Sequence, residues 1–199
     1  QGYEKCRINA DTAQKYAGLI SDAADALAGE TQVYCLIIPT SYGILLPDEV
    51  KARLSDYEDT EACISEVYAA LSENAKPVRV WDKLKAHSDE FIYFRTDLHW
   101  TARGAYLGYE AFCNAKGIAP IPLEAHRSVN FEGFFGTFYS ESGGDEKFSP
   151  AETIEAFYPV SDGVTLTVTD ADDNTTDCPI VADVSELHAL AKYLSLIHI

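Results

Sequence analysis

The sequence has 199 residues, of which 47% are hydrophobic, 12% aromatic and 24% charged. This composition is typical of a globular protein and excludes global disorder, and the length fits one domain or slightly more. Lysine and arginine total 15 against 32 acidic residues, which gives a formal net charge of −17. So strong a negative charge disfavours nucleic acid and anionic lipid surfaces as partners. No apolar run is long enough to insert into a membrane.

The first 118 residues alternate between helical and strand patterns. Apolar residues spaced three to four apart predict helices, and short β-rich apolar runs predict strands. Gly29 and Gly117 are expected to end the first and last of these helices, and Thr101 to cap the last one. The alternation indicates an α/β unit with a parallel sheet. The predicted helices cover residues 12–29, 59–71, 83–87 and 102–116, the predicted strands 32–38, 78–81 and 91–94, and a predicted loop 40–47.

The pattern changes after residue 118. Residues 131–142 are rich in glycine and aromatic side chains, and residues 164–181 predict a β-hairpin with its turn at 170–174. A last helix is predicted at 186–194, capped by Asp183 or Ser185. The tail at 195–199 abandons the preceding acidic pattern and is interpreted as non-native. On that interpretation the native chain continues differently after about residue 194.

The densest group of chemically active side chains lies at residues 93–101, between a predicted strand and a predicted helix. Ligands of α/β folds bind at this edge of the sheet, where strands end. Asp97 and His99 are two residues apart, so in extended backbone their side chains point to the same side. The carboxylate can then accept a hydrogen bond from the imidazole Nδ1–H and leave Nε2 as a general base. The spacing therefore predicts two members of a hydrolase triad.

Other interpretations of the same residues stay open. An Asp-x-His pair also occurs in structural turns, and it supplies two potential metal ligands, although a metal site needs further ligands nearby. Arg95 is expected either to pair with Asp97 or to bind an anionic group. The sequence contains neither a zinc-ligand spacing nor a complete calcium-binding loop, so no metal and no cofactor is predicted.

Residues 93–106 read Tyr-Phe-Arg-Thr-Asp-Leu-His-Trp-Thr-Ala-Arg-Gly-Ala-Tyr and resemble the signature of the DHHW-motif proteins of bacteria. That family is similar to the SGNH-hydrolase-like domains of alginate O-acetyltransferases, in which a D-x-H-W motif supplies a catalytic Asp and His. Leu98 stands at the second position of the DHHW motif, where the family has His, and the Asp–His pair is retained. The resemblance covers most of residues 10–160. Its other segments are residues 37–40, 46–47, 80–82, 90–93 and 133–139.

The resemblance implies a fold and a division of the chain. The fold is an SGNH-hydrolase-like, flavodoxin-like three-layer sandwich with a parallel sheet, incomplete at the C-terminus and carrying a β-rich insertion. Residues 1–118 correspond to its α/β core and residues 119–184 to the insertion or lid. Residues 185–194 correspond to the start of a further core helix, followed by the tail at 195–199.

The resemblance also assigns roles to side chains. It implies that Asp97 and His99 are catalytic, the former orienting the latter. Arg95, Trp100 and Tyr42 are expected to line the substrate pocket, with the two aromatic rings as stacking surfaces for sugars.

The nucleophile is not assigned by the sequence. In similar proteins the serine follows the Asp and His on a strand-to-helix turn, and this sequence contains no G-x-S-x-G motif. We expect that serine beyond residue 194. Ser41, at a turn after the first predicted strand, is a candidate within the chain, and Ser140 and Ser142 are weaker ones.

Two main hypotheses follow for the function. The first is a bacterial cell-surface esterase or O-acetyltransferase that acts on a polysaccharide or another acetylated glycan and is membrane-anchored when full length. The second is a non-catalytic carbohydrate-binding or surface module that keeps the fold. A metal-dependent hydrolase that uses Asp97 and His99 is a third, and a chelator would abolish its activity.

Overall fold

The computed structural model describes residues 2–5, 10–55 and 59–181. The predicted helix at 186–194, its candidate caps and the tail at 195–199 lie outside these residues. Helices and strands of the described residues follow in chain order. They are α1 (Ala10–Ala26), β1 (Val33–Leu36), α2 (Ser41–Leu45), α3 (Asp48–Lys51), α4 (Thr60–Ala69), β2 (Ala75–Val78), α5 (Trp81–Ala86), α6 (Ala102–Lys116), β3 (Ser128–Phe134), α7 (Thr137–Glu141), β4 (Glu152–Phe157), β5 (Leu166–Thr169) and β6 (Thr175–Cys178), with 3₁₀ turns at Leu123–Ala125 and Glu146–Phe148.

The core is built on both faces of a parallel pair of strands. Strands β1 and β2 pair from Val33 opposite Ala75 to Leu36 opposite Val78. Side chains alternate along a strand, so Cys35 packs towards α4 whereas Leu36 packs towards the cluster formed with α5 and α6. The chain is therefore mixed α/β, as predicted. Among the described residues the sheets have two strands each, and the three-layer sandwich stays a prediction.

The helix ends follow the local sequence. The Thr101 side chain accepts a hydrogen bond from the Gly104 amide at the start of α6, and Gly117 ends that helix in the left-handed conformation. Asp59 caps α4 in the same way, through the Ala62 amide. Both caps satisfy amide groups that have no partner within the helix. The predictions of α1, α4 and α6 are confirmed, with α1 ending three residues earlier than Gly29.

Three predicted elements differ from the structure. The second strand is Ala75–Val78 and not 78–81. A proline within a run of residues argues against a strand, so Pro77 led to a prediction that begins too late. Trp81 is the first residue of α5. The predicted loop at 40–47 contains the short helix α2. The predicted strand at 91–94 is reduced to one bridge between Tyr93 and Trp100, because the chain reverses at once.

The chain after α6 is antiparallel. Strands β3 and β4 pair with a register shift between Phe131 and Phe134, and neither strand was predicted. The hairpin of β5 and β6 confirms the prediction at 164–181, with its second strand beginning at Thr175, directly after the predicted turn. None of the helices in the described ranges has the length and apolar character needed to cross a membrane.

Candidate active site

The predicted site lies in a tight loop before α6. Tyr93 and Trp100 form the bridge at its base, and the Phe94 amide donates a hydrogen bond to the His99 carbonyl at 3.2 Å. These contacts fix residues 94–99 as a closed loop. His99 thereby lies two residues before the Thr101 cap of α6, on backbone held at both ends.

Asp97 and His99 form the predicted pair. The distance between His99 Nδ1 and Asp97 Oδ1 is 2.6 Å, and the His99 amide donates to the same oxygen at 2.9 Å. The Asp97 side chain is 9% exposed and that of His99 is 40% exposed. With the proton on Nδ1, Nε2 of a half-exposed imidazole is left as an acceptor. This is the arrangement of a general base oriented by a buried acid.

The second oxygen of Asp97 is held from α7. The amide and the hydroxyl of Thr137 both donate to Asp97 Oδ2, each at 2.9 Å. Gly136 precedes Thr137 and packs directly on Asp97, since a Cβ on Gly136 would lie 2.2 Å from the Asp97 Cβ. Only glycine permits this approach. The carboxylate is therefore clamped between its own loop and the first turn of α7.

The surroundings of Asp97 favour its ionised form. Burial alone would raise the pKa of this carboxyl, but the hydrogen bonds from Thr137 and His99 outweigh burial and lower the pKa below its usual value. Asp97 is therefore a carboxylate at neutral pH. In that state it can accept a hydrogen bond from the Nδ1–H of His99, the geometry in which a carboxylate orients an imidazole.

A second buried carboxylate anchors the loop. Glu152 on β4 is 7% exposed. It accepts the Arg95 amide at 2.8 Å, the Thr96 amide at 2.8 Å and the Thr96 hydroxyl at 2.6 Å. Thr96 in turn accepts the Gly136 amide through its hydroxyl oxygen at 3.0 Å. One hydrogen-bonded network thus joins β4, the loop and α7 around Asp97.

The structure places Arg95 and Trp100 beside the pair in different environments. The exposed Arg95 guanidinium lies 5.3 Å from the centre of the Phe91 ring, where it makes a cation–π contact. The Trp100 ring is half-buried and packs on α6, where a Cβ on Gly108 would lie 2.7 Å from it. The role of both residues in substrate binding stays a prediction.

The serine candidates form no hydrogen bond with His99. Ser41 begins α2, is 1% exposed and has no hydrogen-bond partner for its hydroxyl. Its neighbour Tyr42 is also buried. Ser140 donates to the Gly136 carbonyl within α7, and Ser142 to the Tyr139 carbonyl. Among the described residues no serine hydroxyl forms a hydrogen bond with His99.

Sequence reasoning missed the residues that hold the pair in place. Gly136 and Thr137 lie at residues 133–139, a segment that the sequence analysis used only as part of the family resemblance. No role was predicted for either residue. Glu152 is one of 32 acidic residues in the sequence and carries no local signal. Contacts between residues about 40 to 57 positions apart cannot be inferred from spacing.

The fold and this loop define a class of protein: an α/β protein that presents a carboxylate-oriented histidine at the start of a helix. The chain belongs to the DHHW protein family, whose pattern it matches over residues 1–198. No curated protein matches the sequence.

Two solved structures share the fold, and a third is reported with them. A DHHW family protein from Eubacterium siraeum is 25% identical, with a TM-score of 0.68 over 78% of this chain and 49% of that one. PatB1 of Bacillus cereus is 16% identical, with a TM-score of 0.65 over 95% of this chain and 64% of that one. The O-acetyltransferase domain of Pseudomonas putida AlgJ is 15% identical, with a TM-score of 0.48 over 78% and 60% of the two chains. The chain thus spans less than two-thirds of each of these structures.

Proposed function

We propose that this chain carries the acid–base pair of a bacterial esterase or O-acetyltransferase that acts on an acetylated glycan. The observation that carries the proposal is the 2.6 Å contact between His99 Nδ1 and the buried Asp97 carboxylate. A second carboxylate and the first turn of α7 hold that pair rigid. Such support is expected where geometry must be kept for proton transfer.

The proposed reaction uses a serine outside the described residues. His99 Nε2 removes the proton of the serine hydroxyl while its oxygen attacks the acetyl carbonyl carbon. The tetrahedral intermediate collapses, the ester bond breaks, and the imidazolium gives its proton to the leaving alkoxide oxygen, which departs as a hydroxyl. Water or a sugar hydroxyl, deprotonated by His99 Nε2, then attacks the acetyl carbon of the acetyl-serine. The bond from that carbon to the serine oxygen breaks, the imidazolium returns the proton to the serine oxygen, and acetate or the acetylated sugar leaves. Asp97 stays ionised throughout.

The substrate and the location belong to the same proposal. Resemblance to glycan O-acetyltransferase domains supports an acetylated polysaccharide outside the cytoplasm, with an anchor elsewhere in the full-length protein. We propose that Trp100 and Arg95 border the approach to His99. Ser41 is left out of the proposed mechanism, since a hydroxyl at 1% exposure offers an acyl carbon no path of attack.

The test is hydrolysis of a chromogenic acetyl ester by the full-length protein. We expect His99→Ala to lower kcat/KM by about 10³-fold or more, because it removes the general base, and Asp97→Asn to lower it by a similar order. His87 supplies a matched control, since its Nδ1 also lies 2.6 Å from a carboxylate oxygen, that of Glu90, at an exposed position. His87→Ala should leave turnover within about twofold. Equal activity of the His99→Ala and wild-type proteins would refute the proposal.

A non-catalytic glycan-binding module is the second candidate. It is favoured by the fact that no serine hydroxyl of the described residues forms a hydrogen bond with His99. A fluorophosphonate probe applied to the full-length protein separates the two functions. Covalent labelling that His99→Ala suppresses supports the enzyme, whereas absent labelling together with glycan binding supports the module.

A further inference from the structure

Residues 2–5, here called the strap, join two parts of the fold beside the candidate active site. The Gly2 amide donates a hydrogen bond to the Arg95 carbonyl at 2.8 Å. Two residues later, the Glu4 carbonyl accepts a hydrogen bond from the Thr40 hydroxyl at 3.1 Å. Thr40 lies between β1 and α2, and Arg95 lies in the loop that carries Asp97. The strap therefore connects the carboxyl end of β1 to that loop.

The strap meets the loop where the loop is bonded to α7. The Phe138 amide donates to the Thr96 carbonyl at 2.9 Å. The preceding amide is that of Thr137, which holds Asp97 Oδ2. Gly2 packs on the ring of the same Phe138, since a Cβ on Gly2 would lie 2.6 Å from the Cγ of that ring. Gly2 thus bonds to the loop through its amide and packs on α7 at the same point.

The approach of Gly2 to Phe138 requires glycine. Three carbons of the ring lie within 2.7 Å of the position that a Cβ on Gly2 would take, whereas carbon atoms in contact are about 3.5–4 Å apart. The ring is itself stacked with Phe148, at 6.3 Å between the ring centres. A side chain at position 2 would therefore push the strap away from α7, or push α7 away from the loop.

A buried tyrosine joins the same two parts of the fold from inside. The Tyr93 hydroxyl donates to the Pro39 carbonyl at 2.6 Å, and Tyr93 is 2% exposed. Pro39 adjoins Thr40, and Tyr93 lies two residues before Arg95, so the strap and this tyrosine bridge the same gap. A single contact leaves a loop free to turn about it, whereas two contacts also restrict its orientation.

We propose that Gly2 is a positioning residue, through which the strap holds the loop against α7 and keeps the Asp97 carboxylate aligned with the His99 ring. Its effect on turnover rests on the proposed function, because the alignment matters to turnover only if His99 is the general base. The contacts of the strap do not depend on that reaction and can be measured without it.

Amide hydrogen exchange in the 199-residue chain measures these contacts. In Gly2→Ala we expect the amides of Thr137 and Phe138 to exchange about tenfold faster or more, because the loop oxygens that accept them move away. The pKa of Asp97, which its hydrogen bonds lower, should rise towards its usual value, as followed by carboxyl ¹³C NMR. Thr40→Val loosens the other end of the strap and should change both quantities in the same direction.

Two matched variants serve as controls. Gly18→Ala adds the same methyl group at a position where it meets nothing within 4 Å. Thr167→Val removes the hydroxyl of another exposed threonine, which donates to Asp177 Oδ1 at 2.9 Å. Neither variant should speed the exchange of the Thr137 amide or raise the pKa of Asp97.

Kinetics of the full-length protein then test the consequence for turnover. Gly2→Ala should lower kcat for acetyl ester hydrolysis about tenfold or more and leave KM within about twofold, because a misaligned base slows proton transfer more than it weakens binding. An active His99→Ala variant would refute the proposed function, whereas faster exchange in Gly2→Ala would still support the strap. Unchanged exchange and an unchanged Asp97 pKa in folded Gly2→Ala and Thr40→Val would overturn the inference and leave the proposed function standing. A wild-type kcat in Gly2→Ala, with His99→Ala inactive, would also overturn it.

Discussion

Two buried carboxylates give the candidate site its geometry. Asp97 faces His99 and Thr137, and Glu152 faces the amides of Arg95 and Thr96. A buried ionised group is tolerated only where hydrogen bonds replace its hydration. Here most of those bonds come from backbone amides, which cannot move without moving the chain. The position of the loop and the ionisation of its acid are therefore coupled.

Glu152 is expected to act as a positioning residue. Glu152→Gln replaces one acceptor oxygen by an NH₂ group that points at amide and hydroxyl donors. We expect a loss of about 1–3 kcal/mol in the free energy of unfolding, because buried donors lose their partners. Urea denaturation of the 199-residue chain measures this loss. In the full-length protein kcat should fall with KM little changed, and the pH profile of kcat should shift, because the loop that aims His99 moves.

Glu155→Gln is the control for that change. Glu155 lies on the same strand and accepts Arg103 Nε at 2.7 Å, at a more exposed position. Partly exposed ion pairs contribute about 0–1 kcal/mol, so its loss should be small. Equal effects of the two substitutions on stability and on the pH profile would show that Glu152 has no special position.

Helix α6 is the element on which the loop rests. Gly104 and Gly108 are one turn apart, and they let the Ile92 carbonyl and the Trp100 ring approach the helix. The Thr101 cap joins the end of the loop to the start of the helix. The small residues of α6 thus explain why a bulky tryptophan follows His99 directly.

Two glycine substitutions test this packing. A Cβ on Gly104 would lie 2.3 Å from the Ile92 carbonyl oxygen, so Gly104→Ala should destabilise the protein by about 1–3 kcal/mol. Gly18 lies in α1, and a Cβ added there would meet nothing within 4 Å, so Gly18→Ala should stabilise the protein by about 0.5–1 kcal/mol. Thermal and urea unfolding measure both. The same sign for the two changes would contradict the packing described.

In the whole molecule, the segment after α6 is part of the site. Residues 119–184 were predicted as an insertion or lid, and that domain boundary stays a prediction. Within this segment α7 clamps Asp97, and β4 supplies the carboxylate that anchors the loop. Removal of the segment would expose the amides of residues 95 and 96 and the second oxygen of Asp97.

The clamp on Asp97 makes the stability of the molecule depend on pH. The lowered pKa of this group stabilises the fold at pH values above the unfolded-state pKa of about 3.9. That contribution is lost as the pH falls through the folded-state pKa. Asp97→Asn lacks it at every pH. The difference in unfolding free energy between wild type and Asp97→Asn should therefore shrink as the pH falls from 7 to 3.

Urea unfolding at a series of pH values measures that difference. Asp172→Asn removes a carboxylate from the exposed tip of the hairpin and corrects for the change in net charge. A difference between wild type and Asp97→Asn that stays constant over this range would show that the carboxylate is not stabilised by its surroundings.

Local sequence patterns predict the parts of this protein that depend on neighbours along the chain. The helices α1, α4 and α6, the cap at Thr101, the hairpin and the family all follow from local patterns. The Asp97–His99 contact is also local, because both residues lie in one short loop and two positions apart. Spacing alone was enough to predict that one carboxylate would orient the ring.

The groups that hold that pair and surround it are known from the folded chain alone. Thr137 and Glu152 reach the loop from 40 and 57 positions away, and no sequence pattern encodes contacts at such separations. Strand β2 was predicted at the wrong residues because Pro77 argues against a strand. In the structure this segment is a strand because it pairs with β1, which is distant in sequence. The burial of Ser41 likewise arises from packing, since exposure is a property of the folded chain.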